Sequence, residues 1–309
     1  MSNEITRSIH TIVVTFNRKI LLAACLKKLL AQSADFEYLI VVNNASTDGT
    51  EDYIREVGLL DHKKIIWLNL RENIGGAGGF SAGMQYAFEH GADYVWMMDD
   101  DAMPHPTALA ELIKHTTPQH IYASLAVQDQ QLSWEMTVKK ESHWIATHNP
   151  TDITENIEVR SLPFLGFMIH RQLVEKIGLP DTSFFIAADD TEYCLRAKQA
   201  GYKLYLVGKS LIEHPKAQYQ QYQILNKKIN YVSLLPWKRY YDTRNRIFIA
   251  KQYFGFRLFS QTLPSLLFRL LISLVVEKNR YQQFKAYFWG MYDGFLSNGG
   301  KKHEQRGLR

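Results

Sequence analysis

Three adjacent carboxylates, Asp99, Asp100 and Asp101, directly follow the apolar run at residues 94–98. Ionised carboxylates so close together repel one another, and a bound divalent cation relieves that repulsion. Carboxylate oxygens are hard ligands of the kind that Mg²⁺ and Mn²⁺ prefer. The triplet therefore indicates a metal site, the alternative being a solvated acidic turn or a helix N-cap before Pro104.

His214 stands between Glu213 and Pro215, after a predicted strand. A single histidine at such a place is usually a structural residue with ordinary hydrogen-bond partners. It becomes a candidate metal ligand only if the fold brings it to the acidic triplet.

A second carboxylate pair, Asp189 and Asp190, opens a predicted helix at residues 191–200. Ionised acids are favourable at that end of a helix, and a capping box would explain both residues. A deprotonated carboxylate facing a cleft is also what a general base requires. Both interpretations stay open at this point.

Four glycines in five positions follow Arg71 and Asn73, in the sequence NIGGAGGF at residues 73–80. Such a loop at a helix start lets the backbone approach a ligand and suits a diphosphate. The pattern is not GxGxxG and it follows the third predicted strand, which disfavours a dinucleotide fold. The alternative is a flexible turn with close helix packing.

Strands and helices alternate through the first hundred residues, which predicts a parallel sheet. The strands are expected at 9–15, 38–43, 64–70 and 94–98, and the helices at 20–32, 50–57 and 75–89. Further strands are expected at 121–127, 164–170 and 203–207. Ligands bind beyond the carboxyl ends of such strands, where all the polar segments of the first half lie.

Together these segments resemble a family 2 glycosyltransferase with the GT-A fold, an α/β fold with a Rossmann-like mixed sheet flanked by helices. The matching pieces are VVTFNR at 13–18, VVNNASTDGT at 41–50, the glycine loop, the Asp triplet, residues 188–193 and His214. They span about residues 8–215. The NxGGAGGF form is most similar to bacterial galactofuranosyltransferases, and the related rhamnosyltransferases share most other pieces.

The resemblance assigns a role to each segment. The residues it implies for the nucleoside are Thr15, Asn17, Arg18, Asn43 and Asn44. Those it implies for the donor diphosphate and sugar are Arg71, Asn73, Gly75, Gly76, Gly78, Gly79 and Asp100. The implied ligands of Mn²⁺ or Mg²⁺ are Asp99, Asp101 and His214. Asp190 would be the general base of an inverting displacement, supported by Asp189.

Two residues depart from the family pattern. Asn43 stands where many members have an aspartate. An amide can hydrogen-bond to the nucleoside but lacks the charge, so this position distinguishes less clearly between a uridine and a thymidine nucleotide as the carrier of the donor sugar. Ala188 replaces an aromatic residue that often precedes the Asp pair. The sugar-stacking surface that this aromatic residue would provide could come instead from Phe164, Phe184 and Phe185. The alternative is that these three side chains belong to the core.

The charge is unevenly distributed along the 309 residues. Residues 236–309 carry 14 Lys and Arg against 4 Asp and Glu, together with 16 aromatic residues, whereas residues 1–235 have a net charge of −5. This predicts a catalytic domain at 1–235 and a basic, aromatic helical region at 236–309. That region would contact an anionic membrane, pack on the catalytic domain or form a homo-oligomer.

Composition excludes several classes of protein. Two cysteines, Cys25 and Cys194, exclude a disulfide scaffold and a Cys-rich zinc module. No signal peptide is expected, and the most apolar stretch, Leu263–Val276, contains Arg269 and is judged too short to span a bilayer. No nucleic-acid-binding module is recognised.

The expected function is transfer of galactofuranose from UDP-galactofuranose to a saccharide acceptor, expected to be lipid-linked, in cell-surface polysaccharide synthesis at the inner face of the cell membrane. The alternative donor is dTDP-rhamnose. An inactive nucleotide-sugar-binding or membrane scaffold protein is the non-enzyme alternative, and a nucleotidyltransferase is disfavoured because the loop after the first strand has no glycine.

Overall fold

The computed structural model describes residues 7–153, 155–216, 220–224 and 227–308. The chain divides into two compact units. The first comprises Met1–Pro180 and Tyr193–Lys216, and the second comprises Asp181–Glu192 and Ala217–Arg309. The functional division into 1–235 and 236–309 stays a prediction.

Strands make up the centre of the first unit. Their bounds are β1 Ile9–Thr15, β2 Tyr38–Asn43, β3 Ile65–Asn69, β4 Tyr94–Asp99, β5 Met103–Pro104, β6 Ile121–Gln128, β7 Gln131–Leu132, β8 Met136–Lys140, β9 His143–Thr147, β10 Asn156–Glu158, β11 Phe167–His170 and β12 Leu204–Glu213. Among the described residues, ten of these strands form one sheet in the order β10-β12-β6-β11-β4-β1-β2-β3, with β5 beside β12 and β7 beside β6. Strands β8 and β9 form a separate hairpin.

The sheet is mixed, as the fold class predicted. Strands β1 to β4 are mutually parallel, whereas β11 runs antiparallel to both β4 and β6. Successive residues of β1 point to opposite faces. Ile12 and Val14 pack with Phe80 on one face, and Val13 packs with Leu22 on the other. Burial on both faces explains why these parallel strands are almost wholly apolar.

Helices cover this sheet. Their bounds are α1 Lys19–Leu30, α2 Thr50–Glu56, α3 Gly75–Glu89, α4 Ala108–Ile113, α5 Arg171–Ile177 and α6 Asp189–Gln199. The alternation predicted for the first hundred residues is confirmed. The predicted strand at 164–170 is shorter than expected, and the one at 203–207 continues to Glu213 across a bulge between Val207 and Leu211.

The second unit is mainly helical. Its elements are β13 Gln220–Ile224, β14 Lys227–Tyr231, α7 Pro236–Ile249, α8 Leu263–Val276 and α9 Arg280–Phe295, with π-helical segments at Ala250–Phe254 and Leu258–Thr262. Helix α7 packs along α9, and the buried side chains of Ile247, Leu266 and Tyr287 meet in one apolar cluster.

Helical conformation continues without a break from Leu258 to Val276. The expectation that this apolar stretch is too short to span a bilayer was therefore wrong. This 19-residue segment has a mean hydropathy of 1.6, and within the described ranges it alone is long and apolar enough to cross a membrane. Only 17% of its most apolar window is buried within the protein. Core helices of soluble proteins have similar length and composition, so these properties by themselves do not assign a span.

Candidate active site

The polar residues that follow the first four strands meet at one edge of the sheet. Thr15 at the end of β1 pairs with Asn43 at the end of β2, which in turn pairs with Asn69 at the end of β3. Asp99 ends β4 opposite Val14. Parallel strands place their carboxyl ends together, and this edge is where open α/β sheets bind ligands.

Two members of the acidic triplet are held from the β1 side. Thr15 Oγ1 donates a hydrogen bond of 2.7 Å to Asp100 Oδ2. Arg18 Nη1 lies 3.2 Å from Asp100 Oδ1 and 2.8 Å from Asp101 Oδ2. Arg18, expected at the nucleoside, therefore neutralises the acidic pair in this structure.

The fold also brings His214 to the triplet. Its Nε2 lies 3.5 Å from Asp101 Oδ1. That carboxylate oxygen is buried and has no hydrogen-bond partner among the described residues. A buried oxygen without a donor costs free energy, and a cation beside it would remove that cost.

A divalent cation fits this arrangement through Asp101 and His214, because an imidazole nitrogen faces a carboxylate oxygen that it pairs with at 3.5 Å and that has no hydrogen bond among the described residues. The side chain of Asp99 is exposed at the end of β4. No group of three His, Cys, Asp or Glu within the described ranges is arranged to hold a metal. Of the three predicted ligands, Asp101 and His214 are therefore brought together here, and Asp99 is not arranged with them as a third ligand. A donor diphosphate would have to complete the coordination of a metal bound by this pair.

Charge interactions within the cluster set its protonation. Burial opposes ionisation of Asp101, but His214 and Arg18 outweigh burial and leave the pKa of Asp101 below its ordinary value. Burial likewise disfavours the imidazolium of His214, but Asp101 prevails and raises the pKa of that histidine. For Asp100 burial dominates, so its pKa is raised despite Thr15 and Arg18.

A cavity of about 450 Å³ opens beside the ends of β2 and β3, lined by Asn43, Ser46, Glu51, Arg55 and Asn69 among others. Asn43 Nδ2 donates to Asn69 Oδ1 at 2.8 Å, and Asn69 Nδ2 donates to Glu51 Oε2 at 2.7 Å. Hydrogen bonding from Asn69 lowers the pKa of Glu51. Sequence reasoning missed Glu51 and Asn69, which place a carboxylate near Asn43.

The other predicted nucleoside residues shape the neighbouring loops. Asn17 has a positive φ of 55°, and its Oδ1 accepts a 2.7 Å hydrogen bond from the Thr47 backbone. Asn44 Nδ2 donates to the Gly75 carbonyl, and Asn44 Oδ1 accepts from the Ile74 backbone. Asn44 thus fixes the start of α3 rather than pointing freely into a cleft.

The glycines of α3 serve two different purposes. A Cβ at Gly79 would lie 2.5 Å from Val14, and one at Gly78 would lie 2.6 Å from Ile74. Gly79 therefore allows α3 to pack closely on β1, as the alternative interpretation held, and Gly78 leaves room for the Ile74 side chain at the start of the same helix. A Cβ at Gly76 would meet nothing within 4 Å, so the backbone at that position is open to a ligand.

The remaining residues predicted for the donor lie at the same helix start. Asn73 Oδ1 accepts from the Gly75 backbone at 2.9 Å, while Gly75 has a φ of +78° that favours glycine. Arg71 is exposed, with no ion pair among the described residues.

Asp189 and Asp190 belong to the second unit, where they begin α6. Asp190 Oδ1 accepts hydrogen bonds from the Thr191 backbone at 2.5 Å and from Thr191 Oγ1 at 3.2 Å. Burial raises the pKa of Asp190 against these bonds. Burial and the Asp190 charge raise the pKa of Asp189 to about 7. Such perturbed acid pairs are typical of catalytic sites.

The loop before this pair has an unusual backbone. Phe185, Ala187 and Ala188 all have positive φ values, of 62°, 67° and 63°. Residues other than glycine rarely adopt this conformation, which costs about 1–3 kcal/mol at each position unless the surroundings enforce it.

Two side chains of α7 that are wholly buried hold this loop. Asn245 Nδ2 donates to the carbonyls of Phe184, Ile186 and Ala187 at 3.0, 2.8 and 2.7 Å. Arg244 Nη2 donates to the carbonyls of Ser183 and Phe184 at 2.9 and 2.8 Å. The sequence analysis did not assign these residues a site role; the sequence carries no local signal for contacts made about 60 residues apart.

The aromatic side chains considered for sugar stacking belong to the core. Phe164 is 4% exposed and packs edge-on against Phe80 and Phe167 in the first unit. Phe184 and Phe185 are 1% and 3% exposed in the second unit. The core alternative is therefore the correct one for all three.

Comparisons with known proteins agree with this geometry. The family model described as "Glycosyl transferase family 2" matches residues 11–178. Galactofuranosyltransferase GlfT1 of Mycolicibacterium smegmatis is 25% identical over 260 residues, covering 80% of this chain and 84% of that protein. The dTDP-rhamnosyl transferase RfbF of Shigella flexneri is 22% identical over 310 residues, covering 95% and 98%.

The fold is also found among solved structures. The crystal structure of GalNAc-T7 with UDP, GalNAc and Mn²⁺ has a TM-score of 0.62 at 12% identity, covering 96% of this chain and 59% of that one. At this identity the likeness shows the fold alone. The fold and the sheet-edge site define a GT-A glycosyltransferase. The chain belongs to glycosyl transferase family 2.

Proposed function

We propose that this glycosyltransferase is metal-dependent and inverting, and that it transfers galactofuranose from UDP-galactofuranose to a saccharide acceptor in cell-surface polysaccharide synthesis. The observation that carries the metal dependence is the 3.5 Å ion pair between Nε2 of His214 and the buried Oδ1 of Asp101, an oxygen that has no hydrogen-bond partner among the described residues. A cation bound there would stabilise the negative charge that develops on the leaving nucleoside diphosphate.

The protein's own residues supply the other requirements. Thr15 and Arg18 orient the acidic pair, and the open backbone at Gly76 offers N–H groups at a helix start, where phosphate is favoured. The Asp190 carboxylate takes the proton of the acceptor hydroxyl. The hydroxyl oxygen then bonds to the anomeric carbon as the bond to the diphosphate breaks, which inverts the configuration. Asp189 supports this base.

The donor sugar is inferred from relatives and from the glycine loop. GlfT1 is named a galactofuranosyltransferase, and NIGGAGGF at residues 73–80 resembles the glycine loop of such enzymes. The second candidate donor is dTDP-rhamnose, because RfbF aligns over nearly the whole length of both chains.

A donor screen separates the candidates. Purified protein is offered UDP-galactofuranose, UDP-galactopyranose, UDP-glucose and dTDP-rhamnose, with Mn²⁺ or with a chelator, and both binding and hydrolysis are measured. Metal-dependent preference for UDP-galactofuranose supports the proposal. Preference for dTDP-rhamnose would make dTDP-rhamnose the donor in place of UDP-galactofuranose. Equal turnover in the presence of the chelator would show that the reaction does not require a metal.

We further propose that the second unit contacts an anionic membrane from the inner face. Phe259, Phe268, Leu271 and Val275 on the Leu258–Val276 helical segment are 54–66% exposed. The surrounding region 236–309 has a net charge of +10. Exposed apolar side chains with surrounding basic residues are typical of helices that lie in the lipid headgroup region. A homo-oligomer contact through the same face is the alternative.

A further inference from the structure

A segment that follows α9 lies directly against the loop before Asp189. We call residues 298–308 of this segment the strap, and both the strap and the loop belong to the second unit. The backbone N–H of Gly300 donates to the Ser183 carbonyl at 2.6 Å. A Cβ at Gly299 would lie 2.5 Å from the Cβ of Ser183, so a glycine is needed for the two backbones to approach this closely.

One guanidinium group joins the strap to the loop. Arg244 is completely buried, and its hydrogen bonds to the loop carbonyls come from Nη2. Its Nη1 donates to the Gly300 carbonyl of the strap at 2.7 Å. A buried guanidinium needs acceptors for its N–H groups, and here both segments supply them. Displacing the strap would leave part of Arg244 without partners and would weaken its hold on the loop.

Side-chain packing also connects the strap with the loop. Leu308 is 1% exposed and belongs to the apolar cluster that contains Phe185 and Tyr241. The Tyr241 hydroxyl accepts from the Lys302 backbone at 3.1 Å and lies 2.8 Å from Nδ1 of His303. Phe185 is one of the loop residues with a positive φ. The strap thus belongs to the surroundings that enforce this conformation.

An ion pair fixes the far end of the strap to α9. Arg306 Nε donates to Asp293 Oδ2 at 2.9 Å, and Arg306 Nη2 donates to Asp293 Oδ1 at 2.5 Å. The guanidinium carbon lies 4.1 Å from the centroid of the Trp289 ring. Asp293 is completely buried, whereas the Arg306 side chain is 22% exposed. A bidentate pair fixes the geometry of both partners more strictly than a single charged contact does.

The Asp293 carboxylate holds the strap at a second place. It accepts from Asn298 Nδ2 at 3.0 Å and from the Tyr240 hydroxyl at 2.7 Å. Burial opposes ionisation of Asp293, but the hydrogen bonds from Arg306, Tyr240 and Asn298 outweigh burial and lower the pKa of Asp293. Arg306 therefore compensates a buried negative charge, and removing it would leave that charge unpaired.

We infer that the strap positions the loop that leads to Asp189 and Asp190, and that Arg306 is the positioning residue that fixes the strap. Arg306 acts through Asp293 and the strap, and not on the reacting atoms. The inference rests on the proposed function and deepens it, because it names what holds the loop of the proposed base. Loss of this hold should slow transfer without changing donor binding, since the proposed donor residues belong to the first unit.

Hydrogen exchange of the full chain, measured by mass spectrometry, tests the strap without any substrate. The backbone N–H groups of Phe185 and Ile186 are hydrogen-bonded within the loop. In Arg306→Gln, exchange at residues 184–190 should be faster by about tenfold or more, because the loop opens more often. Exchange in β1 of the first unit should stay at the wild-type rate. Unchanged exchange at residues 184–190 overturns the inference.

Further variants keep the test decisive if Arg306→Gln destabilises the whole unit. Arg306→Lys retains the charge but loses the bidentate geometry, so exchange should be intermediate. Gly299→Ala leaves the ion pair intact and places a Cβ against Ser183, so it should separate the strap from the loop directly. Wild-type exchange in Gly299→Ala overturns the inference. Arg257→Gln, at an exposed arginine of the same unit, is the matched control, and equal acceleration there also overturns it.

Kinetics separate positioning from general stability. Arg306→Gln and Gly299→Ala should lower kcat by about tenfold or more, because the base is no longer held in the reactive geometry, and should leave the donor Kd unchanged. Ile272→Ala, at a buried site of α8, is the destabilised control. An equal loss of kcat in this control, or normal kcat in both strap variants, contradicts the positioning role.

The two experiments also distinguish this inference from the proposed function. If the wild-type protein turns over none of the nucleotide sugars, the proposed function fails. Hydrogen exchange at residues 184–190 still decides whether the strap holds the loop, because that measurement needs neither donor nor acceptor.

Discussion

Nε2 of His214 lies 3.5 Å from Oδ1 of Asp101, although 113 residues separate them in the sequence. The distance is long for a hydrogen bond, and the oxygen is otherwise unpartnered in the part of the chain that the structure describes. A cation between them would satisfy both groups, and Arg18 on the other oxygen of the same carboxylate already balances part of its charge.

Asp101→Asn and His214→Gln should each weaken Mn²⁺-dependent donor binding by at least about tenfold, because a ligand of the proposed cation is lost. Donor titrations with and without Mn²⁺ measure this. Asp61→Asn, at an exposed position of the same unit, is the matched control. Unchanged metal dependence of donor binding in both site variants would show that Asp101 and His214 do not form the metal site.

Asp190→Asn should reduce transfer by about 100-fold or more, because an amide cannot take the proton of the acceptor hydroxyl. Donor binding should remain close to that of the wild type. Single-turnover transfer and a donor titration on the same preparation measure the two effects. Normal turnover in this variant would exclude Asp190 as the base.

The pH dependence of transfer should show the raised pKa of Asp190. The base acts when ionised and burial raises its pKa, so the acid limb of the rate profile should lie above that of an ordinary carboxyl group. The charge of Asp190 helps to raise the pKa of Asp189 to about 7, so Asp190 ionises first and Asp189→Asn should leave the acid limb nearly in place. Profiles of kcat against pH for both proteins test this, and a wild-type acid limb at the pH of an ordinary carboxyl group would contradict it.

Asn245→Ala should lower kcat while leaving the donor Kd nearly unchanged, because three loop carbonyls each lose one hydrogen bond and the positive-φ loop before Asp190 relaxes. The free energy of unfolding should fall by about 2 kcal/mol. Leu173→Ala, at a buried site of the other unit, provides a destabilised control. An equal loss of kcat in that control would show that Asn245 acts only by stabilising the fold and not by holding the loop before Asp190.

The double variant Phe268→Ser and Leu271→Ser should bind anionic vesicles about tenfold or more weakly, since two exposed apolar side chains are removed. Co-sedimentation with phosphatidylglycerol vesicles at two salt concentrations measures this. Ile20→Ser, at a position of the first unit that is 69% exposed, should have no effect. If the double variant instead changes only the oligomeric state, the face is a contact between copies of the chain.

The positions of the strands that lead to the site were predictable from the sequence, because buried parallel strands appear in it as short apolar runs. Ile9–Thr15 and Tyr38–Asn43 were predicted with their observed bounds, and the polar residues after each run followed from the strand ends. The helical segment at Leu258–Val276 was misjudged, because its first turn is π-helical and carries polar residues such as Ser260.

The sequence by itself therefore determined which residues could do chemistry and at which edge of the sheet most of them lie, since both depend on local patterns of apolar and polar residues. Only the tertiary structure decided that Gly79 packs on Val14, that Arg18 pairs with Asp101, and that Asn245 holds the loop before Asp190. These relationships join segments far apart in the chain, and such contacts depend on packing and burial, which no local pattern records.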